Sequence, residues 1–392
     1  FVVGNGFFKP NISTFVGTLY GENDPRRDAG FNIFYMGINV GAWIAPLICG
    51  WLAVEYGWHY GFGAAGVGMV VGLLVFWSGI KSNIFAQEGL PPVGSTTQSR
   101  VIVNVLSFLV VPVFAFLLYN NSFVGDILYI ALIPIAILLG RTMIKGSKLV
   151  RERLIAALVL TFFMTIFWAF FEQGGSSLTI FASTNVDLGL GMNAAQTNSI
   201  NPFFIILFAV IFSVLWTYLA KIGKNPYTPI KYALGLAQLG IAFFVFAFGA
   251  QYMNEAGQVP FVFLVVGYLF ISTGELFLSP VGLSKLTELS TKEIAGFMMG
   301  VWFLSAAFGH HLAGIVAKLT TGGDGDGEIF MEGIVNAVTG MSRESVANAI
   351  PAIQELFTYA TVYTQIGVIS IVTALFALLI SPLIKRWMHG VH

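Results

Sequence analysis

The 392 residues are 56% hydrophobic and only 10% charged, with a mean hydropathy of +0.81 and no net charge. Soluble domains carry about 25% charged residues, so this composition excludes a water-soluble globular protein and indicates an integral membrane protein. The neutral balance excludes a basic surface for nucleic acid, and a single cysteine, Cys49, excludes an intrachain disulfide.

Runs of about 20 apolar residues predict eleven spanning helices. In chain order they cover residues 1–20, 30–54, 57–80, 99–119, 123–140, 153–183, 199–220, 230–253, 259–285, 294–319 and 353–384. The chain opens at Phe1 already inside the first run, without a Met or a charged leader, and reads as a polypeptide entered part-way. The first three spans form a block, residues 1–80. Residues 81–152 form a linker carrying two further spans, with the polar stretch Gln87–Ser99 before them and the basic stretch Arg141–Arg153 after. Residues 153–392 hold the last six spans. Transporters made of two six-helix halves are a common architecture, so three, two and six suggest a leading triplet missing from this chain.

Basic residues set the orientation. All Lys and Arg except Lys9, Lys318 and Arg343 collect in alternate connections or follow the last span. By the positive-inside rule the Arg26–Arg27 side and the C-terminus are cytoplasmic, in a multi-pass protein of the cell (inner or plasma) membrane. The loop 320–352 then faces outward. Its Asp324, Asp326 and Glu328 resemble the opening of a calcium loop, but Ile329 and Val335 occupy the glycine and bidentate glutamate positions. It reads as a solvated loop with a short amphipathic stretch, and no metal site is expected.

Three charges sit inside apolar spans: Lys9, Glu172 and Glu275. Each costs about 2.5–3.5 kcal/mol at mid-bilayer, which a chain sustains where the group faces a cavity and carries an ion, proton or substrate. The alternative is an interhelical ion pair. Helical spacing places each on a polar stripe: Asn5, Lys9 and Ser13; Asn32, Tyr35 and Asn39; Thr165, Trp168, Glu172 and Ser176; Ser272, Glu275 and Ser279. Asn198 and Asn201 precede Pro202. Any one amide or hydroxyl alone is equally explained by a hydrogen bond between helices, and Trp168, Trp302 and Phe303 by packing. His310 and His311 read as packing or structural residues rather than proton carriers. A cavity with one cation, two carboxylates, amides and aromatics suits a zwitterion. The carboxylate of such a substrate would seek Lys9, its ammonium Glu275, and its amides Asn39 and Asn201. A carboxylate in low dielectric can take up a proton near neutral pH, a role open to Glu172.

The stretches GNGFFKPNIS, RRDAGFNIFYMGINVGAWIAPLICG, FWAFFEQGGSSLTIFA, NSINPFFI and GELFLSPVGLS resemble signature stretches of the bacterial proton-coupled oligopeptide transporters (POT/PTR) of the major facilitator superfamily. The likeness covers nearly the whole chain. It implies an all-α major facilitator fold, with the first three of the family's fourteen helices apparently missing and an extra helical pair at 99–140. It implies a symporter that imports di- and tripeptides by alternating access, with protons as coupling ion, no other cofactor and no enzymatic activity. By the same resemblance Lys9 belongs to the proton and peptide-carboxylate region, and Glu172 is the coupling carboxylate. Asn39 and Asn201 contact the peptide backbone or amino terminus, Tyr35 lines the site, and Glu275 receives the amino group. Trp168, Ser279, Trp302 and Phe303 shape side-chain pockets. The family's ExxER motif does not occur in the 392 residues. The alternative on the same scaffold is a carrier of nitrate or another small anion or amino-acid derivative. A channel would show a repeated pore motif, and a membrane enzyme a nucleophile or metal cluster; neither is present in the sequence.

Overall fold

The computed structural model describes residues 27–85, 95–189, 191–290, 295–320 and 331–391, together with six isolated positions before residue 20. Among the described residues, ten helices are long and apolar enough to cross a membrane. They match ten of the eleven expected spans. The first, 1–20, falls almost wholly outside the described residues, and so does Lys9.

The helices in order are α1 (Arg27–Tyr56), α2 (Trp58–Lys81), α3 (Thr97–Tyr119), α4 (Asn121–Lys145) and α5 (Lys148–Phe171). A 3-10 turn, Glu172–Gly175, and the short α6 (Ser177–Thr184) complete the span that α5 begins. A second 3-10 turn, Ala194–Ser199, leads into α7 (Ile200–Lys221), followed by α8 (Thr228–Phe248), α9 (Phe261–Leu289) and α10 (Ala295–Leu319). The short α11 (Glu332–Thr339) and α12 (Arg343–Val346) precede α13 (Pro351–Trp387). α11 is the amphipathic stretch expected in the 320–352 loop, with Val335 and Thr339 turned inward.

Local chemistry places the boundaries. Thr96 and Ser99 form a reciprocal cap on α3, the Ser147 hydroxyl accepts from the Val150 amide at the start of α5, and proline opens α8 and α13. Pro46, Pro112, Pro134 and Pro382 lie inside helices, as apolar spans tolerate where neighbours satisfy the freed carbonyls.

The core lies in the last six spans. α8 runs through its middle against α9 and α13. Close approach depends on small residues: a Cβ at Gly235 would stand 2.9 Å from the Gly274 carbonyl on α9, and one at Gly240 2.9 Å from the Gly367 carbonyl on α13. In contrast α3 has no buried side chain, and its apolar surface faces outward as a lipid-bathed helix does.

Each end of the bundle is tied by polar contacts between residues far apart in sequence. At one end β1 (Val186–Asp187) pairs in parallel with β2 (Val259–Pro260), Val186 opposite Val259. Buried Asn185 donates to the Gly257 carbonyl at 3.1 Å and the Ala352 carbonyl at 2.8 Å. At the other end His389 Nε2 lies 2.6 Å from Glu152 Oε2, and Arg153 donates to the His389 carbonyl.

Candidate functional site

Among the described residues, the expected acids sit in two groups of polar side chains within the spans, one at α9 and one at the turn after α5. On α9, the Glu275 Oε2 accepts from Asn201 Nδ2 of α7 at 3.3 Å, and the same amide donates to the Ser272 hydroxyl at 3.0 Å. Ser272 donates in turn to the Tyr268 carbonyl at 2.7 Å. Pro202 follows Asn201 in the first turn of α7, where a missing amide hydrogen costs nothing. The expected alignment of Ser272 with Glu275 holds, and Asn201 is the residue that joins them. Asn198 is directed elsewhere, donating to the Thr179 hydroxyl of α6 at 3.0 Å.

Tyr35 and Asn39 of α1 share one face: the Asn39 amide donates to the Tyr35 carbonyl at 3.0 Å. Both line a cavity of about 280 Å³ between α1 and α7, closed on the other side by Ile205, Ile206, Ala209 and Ser213. Asn201, the partner of Glu275, lies one helical turn before Ile205 of the cavity wall, and Tyr35 lies within electrostatic range of Glu275. The side chains of Asn32 and Ser279 lie outside the described residues, as do Asn5, Lys9 and Ser13.

Glu172 departs from the expectation. The stripe Thr165, Trp168, Glu172, Ser176 assumed one unbroken helix. Instead α5 ends at Phe171, Glu172 opens a 3-10 turn, and Ser176 has left helical geometry at φ −132°, ψ −99°. The cause is Gly174–Gly175, which weakens the helix by about 0.8–1.0 kcal/mol per glycine relative to alanine. Ser176 still caps the break, donating to the Glu172 carbonyl at 3.1 Å.

A buried relay fixes this turn. Gln173 is fully buried and donates to the Ala313 carbonyl of α10 at 3.0 Å and to the Ala169 carbonyl at 3.2 Å. Its Oε1 accepts from the Ser177 hydroxyl at 2.7 Å, and that hydroxyl accepts from the Tyr363 phenol of α13 at 3.4 Å. Glu172 is thereby held at a turn anchored to two other spans. Gln173 was not among the expected site residues. Its signal in the sequence is an amide beside the acid, followed by two glycines, inside an apolar run.

The second unexpected member is His310. Its Nδ1 lies 3.6 Å from Glu172 Oε2. His311 behaves as expected of a packing residue, lying edge-on to Tyr129 of α4 with ring centroids 6.0 Å apart. Glu172 also falls within electrostatic range of Glu275.

Of the aromatic candidates, Trp168 packs edge-on to Phe171 at 4.9 Å and sits against Gly309, and Trp302 packs on the core of the last six spans. Phe303 is exposed, about two helical turns from His310 and so on its face. Among the described residues no cluster of three or more His, Cys, Asp or Glu is arranged to hold a metal.

Comparison with known proteins adds the following. A family model described as the POT family matches residues 1–336. The uncharacterized transporter YclF of Bacillus subtilis strain 168 is 36% identical, over all of this chain and 74% of its own length. Dipeptide and tripeptide permease A of Yersinia pestis is 30% identical, over 98% of this chain and 72% of its own. Among solved structures, a variant of the peptide transporter POT in complex with alafosfalin is similar with a TM-score of 0.74 and 33% identity, covering 99% of this chain and 74% of that one.

Proposed function

As the chain belongs to the POT family, with the major facilitator fold of a multi-pass membrane protein, we propose that it imports di- and tripeptides together with protons by alternating access. The observation that carries this reading is the pairing of Glu275 with Asn201 beside the cavity lined by Tyr35 and Asn39. A partly buried carboxylate with a carboxamide donor offers a counter-charge to a peptide ammonium and a partner to its amide groups. Glu275 takes the ammonium, and Asn201 and Asn39 the backbone polar groups. Tyr35, Trp168, Trp302, Phe303 and Ser279 bound the space for side chains, and Lys9 meets the peptide carboxylate.

Glu172 is the proton-coupling group. It stands at a turn rather than within a helix, so a change in the carboxyl's charge is felt where the span is already interrupted. The Gln173 relay transmits the position of that turn to α10 and α13. We further propose that residues 1–80, 81–152 and 153–392 work as separate units, the first and last moving against each other. The protein resides in the cell membrane with its C-terminus cytoplasmic, and it has no enzymatic activity. The distribution of Lys and Arg supports that orientation.

A nitrate carrier lacks a comparable supporting feature here, because the Glu275 carboxylate repels an anion, and a free amino acid offers no peptide amide to Asn201 and Asn39. The test is uptake by proteoliposomes under an inward proton gradient, with dialanine, free alanine and nitrate compared. Accumulation of dialanine well above the other two is expected. Nitrate accumulation without dialanine uptake would overturn the reading.

A further inference from the structure

His310 has no part in the reading above, although its imidazole Nδ1 stands 3.6 Å from Glu172 Oε2, with side chains 59% and 31% exposed respectively. The two adjacent histidines have opposite surroundings. A Cβ at Gly125 of α4 would lie 2.9 Å from His311 Cε1, so His311 fills the α4–α10 contact. His310, about 100° further round the helix, turns to the carboxylate. The helices themselves enforce this placement. A Cβ at Gly309 would stand 2.9 Å from the Trp168 Cβ and 3.4 Å from the Thr165 carbonyl, so glycine there lets α10 approach α5 and delivers the next residue to Glu172.

Among the described residues, the other titratable groups on elements packed against α10 include Lys285 and Glu288 toward the last turns of α9 and Arg141 and Lys145 toward the end of α4. α9 also carries Glu275 and Tyr268, and α4 also carries Asp126 and Tyr129. α5 has none between Leu154 and Phe171. Of these, Glu275 is within electrostatic range of Glu172, while Tyr129 meets His311 rather than His310. An imidazole changes charge around pH 6.5 in its ordinary state, within the range over which proton gradients operate.

We propose that His310 is a second titratable member of the coupling site, sharing with Glu172 a proton taken up in each transport cycle. The proposal rests on the coupling role assigned to Glu172 above. With one proton bound, the pair is neutral whether the proton sits on Nδ1 or on Oε2. It can therefore cross between them without leaving net charge in the membrane. A side-chain movement of about 0.5 Å converts the present separation into a hydrogen bond suited to that transfer. His310 acts through Glu172, as a positioning and proton-sharing residue. Without it the first proton must go to the carboxylate alone, and a carboxylate is by its chemistry a weaker base than an imidazole.

The experiment uses the full-length protein in liposomes. Gradient-driven accumulation of dialanine is followed against pH for the parent, His310→Gln and His310→Asn, with dialanine counterflow measured in the same vesicles. Both variants are expected to keep counterflow and to move the alkaline limb of the accumulation profile to lower pH by about 0.5 unit or more. A merely structural histidine would not move that limb. Profiles superimposable on the parent, with Glu172→Gln devoid of accumulation, would overturn the proposal and leave Glu172 coupling alone. Accumulation by Glu172→Gln equal to the parent would instead overturn the Glu172 role and this proposal with it. For a variant without counterflow, proton uptake on dialanine binding in detergent is measured against pH. A limb displaced to lower pH supports proton sharing, and a limb superimposable on the parent overturns it.

Discussion

Glu172 and Glu275 are both acids inside apolar spans, yet the chain holds them differently. Glu275 lies within the continuous helix α9 and accepts a carboxamide hydrogen bond at 3.3 Å, so its position is set by regular backbone and one neutral donor. Glu172 opens a 3-10 turn where the span breaks, and its neighbour at 3.6 Å is a titratable imidazole. A fixed carboxylate with a neutral donor suits recognition of a constant charge, such as an ammonium. A carboxylate at a break beside a histidine suits a group whose charge must change. The difference argues for a division of labour: α9 reads the substrate, and the turn reads the proton.

The sharpest way to break that division is Glu172→Gln. Gradient-driven accumulation of dialanine is expected to fall to background while counterflow persists, because a neutral amide permits the halves to rock but carries no proton. Parent-like accumulation in proteoliposomes would remove Glu172 from coupling. Glu275→Gln is expected to act on recognition instead. Affinity for free-amine dipeptides should fall by about 2–5 kcal/mol, the usual cost of breaking a desolvated charge pair from one side. N-acetylated dipeptides should lose far less, and equal losses for both ligands in a binding titration would argue against an ammonium at Glu275.

Smaller changes sharpen the comparison by disturbing the supports alone. Gln173→Leu removes the acceptor of the Ser177 hydroxyl proton and the side-chain donor that ties the turn to the Ala313 carbonyl, and leaving a buried donor unpaired costs about 1–3 kcal/mol. A lower melting temperature and weaker coupling are expected, with selectivity for free-amine over acetylated dipeptides retained. Loss of that selectivity would mean that the two sites are one. Gly309→Ala overpacks the α5–α10 contact by about 1–3 kcal/mol and is expected to weaken accumulation more than dipeptide affinity. An unaltered ratio of the two would show that the approach of α10 is irrelevant to the turn.

Much of the fold was legible because each of ten spans is an apolar run of bilayer length, and length needs no tertiary information. The acids were legible because a charge in such a run is costly. Ser272 and Glu275 shared a face as helical spacing requires; that Asn201 joins them depended on α7 lying against α9. The break after Phe171 was the main failure. Periodicity carried one helix through Gly174–Gly175, although two glycines and a buried Gln173 bonded to α10 favour a turn there. The histidines failed for a different reason. Spacing separates His310 from His311 around α10, but which one meets Glu172 is decided by the glycine contact at 309, a property of two helices rather than one.

Proton uptake on peptide binding tests the division of labour most directly. It is read by titrating dipeptide into the purified full-length protein in weakly buffered solution. Binding-linked proton uptake is expected to vanish in Glu172→Gln, where dialanine still binds, and to persist in Glu275→Gln with the N-acetylated dipeptide as ligand. Uptake that survives Glu172→Gln and disappears in Glu275→Gln would contradict the assignment of proton and ammonium to separate carboxylates.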